Sequence, residues 1–290
     1  MISILLTSYK EPKTIGRAIQ SLSNQGIKDF ELLVSAPDKE TLDVARQQSK
    51  YNEKIKVFQD KGIGKPAALN MLFKKAKGDI LILSDGDVLV SKGAVKFLVE
   101  KFKDKKVGAV SGRVLSANDP NTMFGYWADM LTKGFDVYRK RENKKVLCSG
   151  YLYAIRAGIV KSMPKDILVD DAYVSLEIIN KGYISTYEPK ATVSVKYPTN
   201  LSDWVIQKQR TASRSYQLKK YFNVSKSKSF KEEILSGLSV LKEIKSVKQA
   251  FWFLFLSVMK IYIWMKVFFD FRLWNQSFKK TWKRVESTKN

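Results

Sequence analysis

Asp85-Gly86-Asp87 sets two carboxylates one residue apart at the end of the apolar run Ile80-Leu81-Ile82-Leu83. Such carboxylates repel each other and are costly to desolvate unless something neutralises them. A solvated turn would suffice. A calcium loop of the EF-hand kind does not fit, because its third ligand position falls on Leu89 and its closing glutamate position on Lys96. A divalent cation shared with nucleotide phosphates does fit, since Mg²⁺ takes one or two carboxylates plus phosphate oxygens. Gly86 would let a ligand approach the backbone closely. A second acidic pair, Asp170-Asp171, opens an amphipathic stretch. It serves either as a helix N-terminal cap or as the source of a general base. The chain has no histidine, so acid–base chemistry falls to carboxylates, Lys, Tyr or the single Cys148. One cysteine also excludes an intramolecular disulfide and a multi-cysteine metal site.

Two basic features could meet a nucleotide. Gly62-Ile63-Gly64-Lys65-Pro66-Ala67 satisfies the G-x-G-x-x-A dinucleotide fingerprint, with Asp85 about twenty residues on. It falls in the third strand–helix unit instead of the first, however, and leaves Asp87 without a task. A Walker A loop is excluded by Gln59 and Pro66 at its glycine and Ser/Thr positions. Pro66 suits the first helical position, so Gly64-Lys65 reads as a turn offering an ammonium to a nucleotide. Arg210, on the next turn from Gln207, belongs either to an ordinary basic helix face or to a bidentate clamp on a diphosphate.

The elements that must position these residues alternate. Ile2–Thr7, "DFELLVSA", "KIKVFQD" and "DILILSDGD" read as strands. Between them, Thr14–Asn24, "DKETLDVARQQS" with Asp38 as N-cap, and "KPAALNMLFKKAKG" closed by Gly78 read as helices. The alternation predicts a parallel sheet with helices on both faces. Ligands of such sheets bind beyond the carboxyl ends of the strands, where Asp85 and Asp87 stand. From about residue 107 the pattern is mixed, with strands at "VGAVSGRV" and "VLCSGYLYAIR" around a helical "NTMFGYWADMLTKGFDVYRKR". The opening "MISILLTSY" is too short an apolar run for a signal peptide and has no basic leader. The expectation is a catalytic part in the cytoplasm.

In this order the motifs resemble the family 2 inverting glycosyltransferases of GT-A fold, particularly the membrane-bound cellulose-synthase-like branch. The resemblance covers roughly residues 1–222 and implies a Rossmann-like mixed sheet, a nucleotide-sugar donor and Mg²⁺ or Mn²⁺. "TSYKEP" is similar to the family's nucleotide-contacting strand end, carried by Tyr9 and Glu11. "GIGKPAALN" resembles its Gly-Lys-x-x-Ala-Leu-Asn segment, with Lys65 near the nucleotide. "SDGD" matches the D-x-D, which implies Asp85 towards ribose and phosphates and Asp87 on the metal. "VDDAYVSLEIINKGY" resembles the T-E-D stretch, placing the base at Asp171 and Asp170 on the acceptor side. Gln207 and Arg210 match the first and fourth positions of Q-x-x-R-W. Two departures stand out. Asp38 is alone where an acidic pair is usual, and Thr211 replaces the Trp of processive members. The mechanism implied is a single displacement at the anomeric carbon. An NAD-linked oxidoreductase, and a non-catalytic basic binder of membrane or nucleic acid, are the alternative readings.

The 290 residues carry 52 Lys and Arg against 28 Asp and Glu, a net charge of +24, which calls for an anionic partner. Nucleic acid is not expected, because the aromatics outside the fold gather in one apolar tail and do not interleave with a basic groove. "NVSKSKS", residues 223–229, is the best boundary, dividing a catalytic domain at 1–222 from a membrane-association region at 223–290. There Phe230, Ile234, Leu238 and Leu241 mark one amphipathic helix, and Ala250–Phe271 is almost wholly apolar. On a helix, Gln249, Lys260, Lys266 and Asp270 fall within one half. That predicts a helix in the membrane interface with its lysines at phosphate headgroups. A single span is near energetic balance, since a central Lys costs about 2.5–3.5 kcal/mol and each Leu, Ile, Phe or Val returns about 0.3–0.6. The expected location is the cytoplasmic face of the cell membrane, against an anionic leaflet. The expected acceptor is a lipid-linked or other glycan, and a homodimer through the C-terminal helices is a further expectation.

Overall fold

Apolar residues in Ile2–Thr7 follow one another without alternation, the pattern of a strand covered on both faces. It forms β1 of an eight-stranded sheet in the order β3-β2-β1-β4-β7-β6-β8-β5. The other strands are β2 (Phe30–Ala36), β3 (Ile55–Gln59), β4 (Ile80–Asp85), β5 (Val88–Val90), β6 (Val107–Ser116), β7 (Leu152–Arg156) and β8 (Ile184–Val195). In this computed structural model residues 1–142, 144–222, 235, 237–274, 278 and 284–289 are described. The helices are α1 (Ile15–Ser23), α2 (Lys39–Tyr51), α3 (Lys65–Lys75), α4 (Ala94–Glu100), α5 (Met123–Glu142), α6 (Asp170–Asn180), α7 (Leu201–Leu218) and α8 (Val247–Phe268).

The chain forms two compact units, one of Met1–Leu115, Glu142–Val195 and Lys289, the other of Ser116–Arg141 and Lys196–Thr288. In the first, β3, β2, β1 and β4 run parallel, as the alternation requires. β7 then pairs antiparallel with both β4 and β6, and β5 with β8, which makes the sheet mixed. Asp38 caps α2, accepting from Thr41 N–H at 3.0 Å. Gly78 has a different task from the one expected. α3 stops at Lys75, and Gly78 packs on β1, where a Cβ would lie 2.4 Å from Ser3 N.

In the second unit, α5, α7 and α8 share an apolar core of Tyr126, Trp127, Met130, Trp204, Leu256, Ile263, Val267 and Phe271. Trp127 is its centre, with ring centroids 5.1 Å from Trp204 and 5.3 Å from Phe255. Its buried Nε1–H donates to Trp252 O at 2.8 Å, so no polar atom of the indole is stranded. One lysine of α8 pairs with a buried carboxylate just beyond the helix. Lys266 Nζ lies 3.4 Å from Asp270, which also accepts from Gln209 Nε2 at 2.5 Å. Lys266 is therefore paired within the protein, contrary to its expected place at headgroups. Phe251, Leu254, Val258, Ile261, Met265 and Phe268 form an exposed stripe at spacings of three and four. Phe230 and Ile234, expected in a preceding amphipathic helix, lie outside the described residues.

Candidate active site

Parallel pairing sets Thr7 opposite Asp85, so the loop after β1 and the turn after β4 emerge together at the carboxyl end of these interior strands. Gly86 N–H donates to Thr7 O at 3.0 Å and Ser8 N–H to Ser35 O at 2.9 Å. Lys10 turns the β1–α1 loop with φ 54°, alone among described non-glycine residues in the left-handed region. Asp38 holds that turn, accepting Lys10 N–H at 2.8 Å. Burial would raise its carboxyl, but the bonds from Thr41 and Lys10 outweigh it and hold Asp38 below the usual range. Tyr9 is exposed beside this turn. Glu11 is buried, its N–H donating to Thr41 Oγ1 at 2.8 Å and its Oε2 accepting from Ser8 Oγ at 2.6 Å.

Two ammonium-centred clusters lie here. Lys65, in the first turn of α3, stands 2.6 Å from Asp85 Oδ1 and 3.3 Å from Asp170 Oδ2. Burial disfavours its charge, but Asp170, Asp85 and Asp171 outweigh that and hold the ammonium well above its ordinary value. Burial pushes the Asp85 carboxyl up, relieved by Lys65 and reinforced by Asp87. In the second cluster Lys289 Nζ donates to both Glu11 Oε1 and Asp87 Oδ2. Glu11 is raised by burial and by the Asp87 charge, with Lys289 opposing. Gly86 between the two aspartates has no room to spare. A Cβ there would lie 2.4 Å from Ser8 Oγ and 2.9 Å from Glu11 Oε2.

The second acidic pair sits in the first turn of α6, where the N-cap position belongs to Val169 and not to either aspartate. Asp171 is held from two sides, accepting Gly150 N–H at 3.0 Å and Ala172 N–H at 2.8 Å. Its backbone carbonyl accepts Ser175 Oγ–H at 2.7 Å, and Ser175 Oγ accepts Cys148 N–H at 2.9 Å. Burial raises Asp170, with Lys65 opposing and Asp171 adding repulsion. Tyr153 was not singled out by its sequence, where it reads as one more apolar strand residue. In β7 it pairs across from Leu83, two residues before Asp85 and so on the same sheet face. Its buried hydroxyl has no hydrogen-bond partner among the described residues, and burial, then Asp170 and Asp171, hold it well above its ordinary value.

Gln207, Arg210 and Thr211 lie on α7, in the second unit. Gln207 Oε1 is buried without a partner among the described residues, and Thr211 Oγ1 donates back to Gln207 O at 3.1 Å. Among the described residues no group of three or more His, Cys, Asp or Glu could hold a metal by itself. Asp87 and Glu11 already converge on one cationic group, however. Two carboxylates completed by phosphate oxygens are a donor set that suits Mg²⁺ or Mn²⁺.

Comparison with known proteins identifies the family and the fold. Residues 1–213 match the family described as "Glycosyltransferase like family 2". A "Probable glycosyltransferase YdaM" of Bacillus subtilis (strain 168) is 27% identical over 228 residues, covering 73% of this chain and 54% of that protein. A "Poly-beta-1,6-N-acetyl-D-glucosamine synthase" of Staphylococcus aureus (strain COL) is 25% identical over 246 residues, covering 81% of this chain. The match spans 60% of that synthase, so the chain covers little more than half the length of these relatives. A solved mannosyltransferase, PcManGT from Pyrobaculum calidifontis in complex with GDP-Man and Mn²⁺, superposes with a TM-score of 0.64 at 16% identity. That alignment covers 97% of this chain and 84% of the other, and shows a shared GT-A fold. The dinucleotide-dehydrogenase reading of Gly62–Ala67 gives way to the family match, which runs through those residues. With its mixed sheet, its D-x-D at the end of β4 and that match over 213 residues, the chain belongs to glycosyltransferase family 2.

Proposed function

We propose that this protein transfers a sugar from a nucleoside-diphosphate donor to a hydroxyl acceptor by a single inverting displacement. The observation that carries the reading is Lys65, whose ammonium lies within 3.3 Å of both Asp85 and Asp170. One side chain thereby ties the D-x-D turn to the acidic pair of α6, two motifs that sequence sets far apart. Asp171 is the general base that removes the acceptor proton, its carboxylate oriented by the Gly150 and Ala172 amides. Lys65 binds the diphosphate, and Tyr9 and Asp38 meet the nucleoside. The Asp38 carboxylate has lone pairs left for a base N–H after its two backbone bonds. Asp85 serves ribose and phosphates, and Asp170 the acceptor. Gln207 and Arg210 are assigned to the diphosphate, and Thr211 to the acceptor, by their match to Q-x-x-R-W alone. Asp87 and Glu11 would hold Mg²⁺ or Mn²⁺, which when bound neutralises charge on the leaving diphosphate. With Thr211 in place of Trp, the product is one or a few sugars and not a long polymer. Release of nucleoside diphosphate from a sugar nucleotide in the presence of acceptor tests the proposal.

We place the reaction at the cytoplasmic face of a membrane, on a lipid-linked glycan or lipid acceptor. Val247–Leu273 is long and apolar enough to cross a bilayer, about 40 Å as a helix against a hydrocarbon core of about 30 Å. Lys266 is paired with the buried Asp270 while the exposed stripe is apolar, which is not the pattern of a helix facing water. Leu254→Lys with Val258→Lys, both on the stripe, should leave the α5–α7–α8 core intact and reduce co-flotation with anionic vesicles at least about tenfold, each Lys costing roughly 2.5–3.5 kcal/mol at mid-bilayer depth. Unchanged flotation would dismiss the membrane reading. A loss of dimers in place of vesicles would assign the stripe to a second copy.

A further inference from the structure

Asp87 and Glu11 form a two-carboxylate seat, and the cationic group in it is part of the chain itself. Lys289 Nζ donates to Asp87 Oδ2 and Glu11 Oε1. The ammonium side chain is 19% exposed, Asp87 15% and Glu11 8%, so this is no solvated surface pair. The contact spans 202 residues to Asp87 and 278 to Glu11, so it is not a by-product of local helix geometry.

We infer that Lys289 is an internal occupant of the divalent-cation seat, excluded when a metal binds and returned when it leaves. The inference rests on the reading of Asp87 as a metal-side carboxylate. Its physical basis is that the same two oxygens cannot serve both cations. Mg²⁺ binds carboxylate oxygen at about 2.0–2.1 Å. An ammonium at hydrogen-bond distance from those oxygens would then face a divalent charge a few ångströms away in a poorly solvated pocket, which Coulomb repulsion forbids. Conversely, two adjacent carboxylates with little solvent around them would repel each other if left without a cation. Lys289 removes that penalty in the metal-free protein. Metal affinity is thereby reduced by the fraction of molecules in which the seat is open, and the Lys289 segment is released when metal arrives.

Binding of Mn²⁺ alone to the full-length protein, followed by the loss of the free-ion electron paramagnetic resonance signal, tests this without any turnover. Lys289→Met should bind Mn²⁺ about threefold or more tightly than the parent chain, as removal of a competitor requires. Lys289→Arg, which keeps a cation there, should stay near the parent value. Amine acylation followed by peptide mass spectrometry should show Lys289 modified faster when Mn²⁺ is present. Equal Mn²⁺ affinity in the parent and Lys289→Met would overturn the inference and leave Asp87 as a ligand. Mn²⁺ binding that is equally strong in Asp87→Ala would overturn the metal-side reading itself, and the inference with it.

Discussion

Asp171→Asn should bind the donor nearly as the parent does and turn over about 10²–10⁴-fold more slowly, the usual worth of a positioned general base. The substitution keeps the shape of the side chain. One oxygen remains to accept either the Gly150 or the Ala172 N–H, so the first turn of α6 keeps most of its fixation. What is lost is the ability to take a proton from an acceptor hydroxyl. The chain has no histidine to substitute. Calorimetry of donor binding and steady-state turnover, measured on the same preparation, separate the two effects. Full activity in the variant would move the base elsewhere, to Asp170 first, which shares Lys65 with Asp85.

Asp87→Ala should abolish metal-dependent donor binding, a loss of about 10²-fold or more if the carboxylate bonds a divalent ion directly. Glu11 alone would then face the cation, and Lys289 would keep a single partner in place of two. Donor titrations with and without Mn²⁺ make the comparison. In the parent the metal should tighten binding, and in the variant it should make no difference. Donor affinity unchanged by the substitution, with Mn²⁺ present, would remove Asp87 from the metal side.

The strand–helix alternation was legible because burial leaves a local period. β1 reads as Ile2–Thr7 from an apolar run interrupted only by Ser3 before Thr7 ends it, and Asp38 as an N-cap from its place before an amphipathic helix. The acidic turn at 85–87 was legible for the same reason, since a carboxylate pair at the end of a buried strand breaks the pattern sharply. Lys289 left no such trace. It is one of many lysines, and its partners lie 202 and 278 residues away. Tyr153 was missed because a tyrosine in an apolar strand looks like core. Only the pairing of β7 with β4 places it on the face of Asp85. Gly78 was misread as a helix stop because the sequence cannot show that Ser3 lies against it. The polar half of α8 was visible as a half, but the sequence did not reveal that Lys266 would find Asp270.

The most direct test of glycosyl transfer is the release of nucleoside diphosphate by the detergent-solubilised protein, given a panel of sugar nucleotides, Mg²⁺ or Mn²⁺, and a lipid-linked acceptor. Diphosphate release is expected with a subset of donors, dependent on the divalent cation and falling by the same factor as transfer in Asp171→Asn. No release with any donor, or release that is indifferent to Asp171 and to metal, would contradict it.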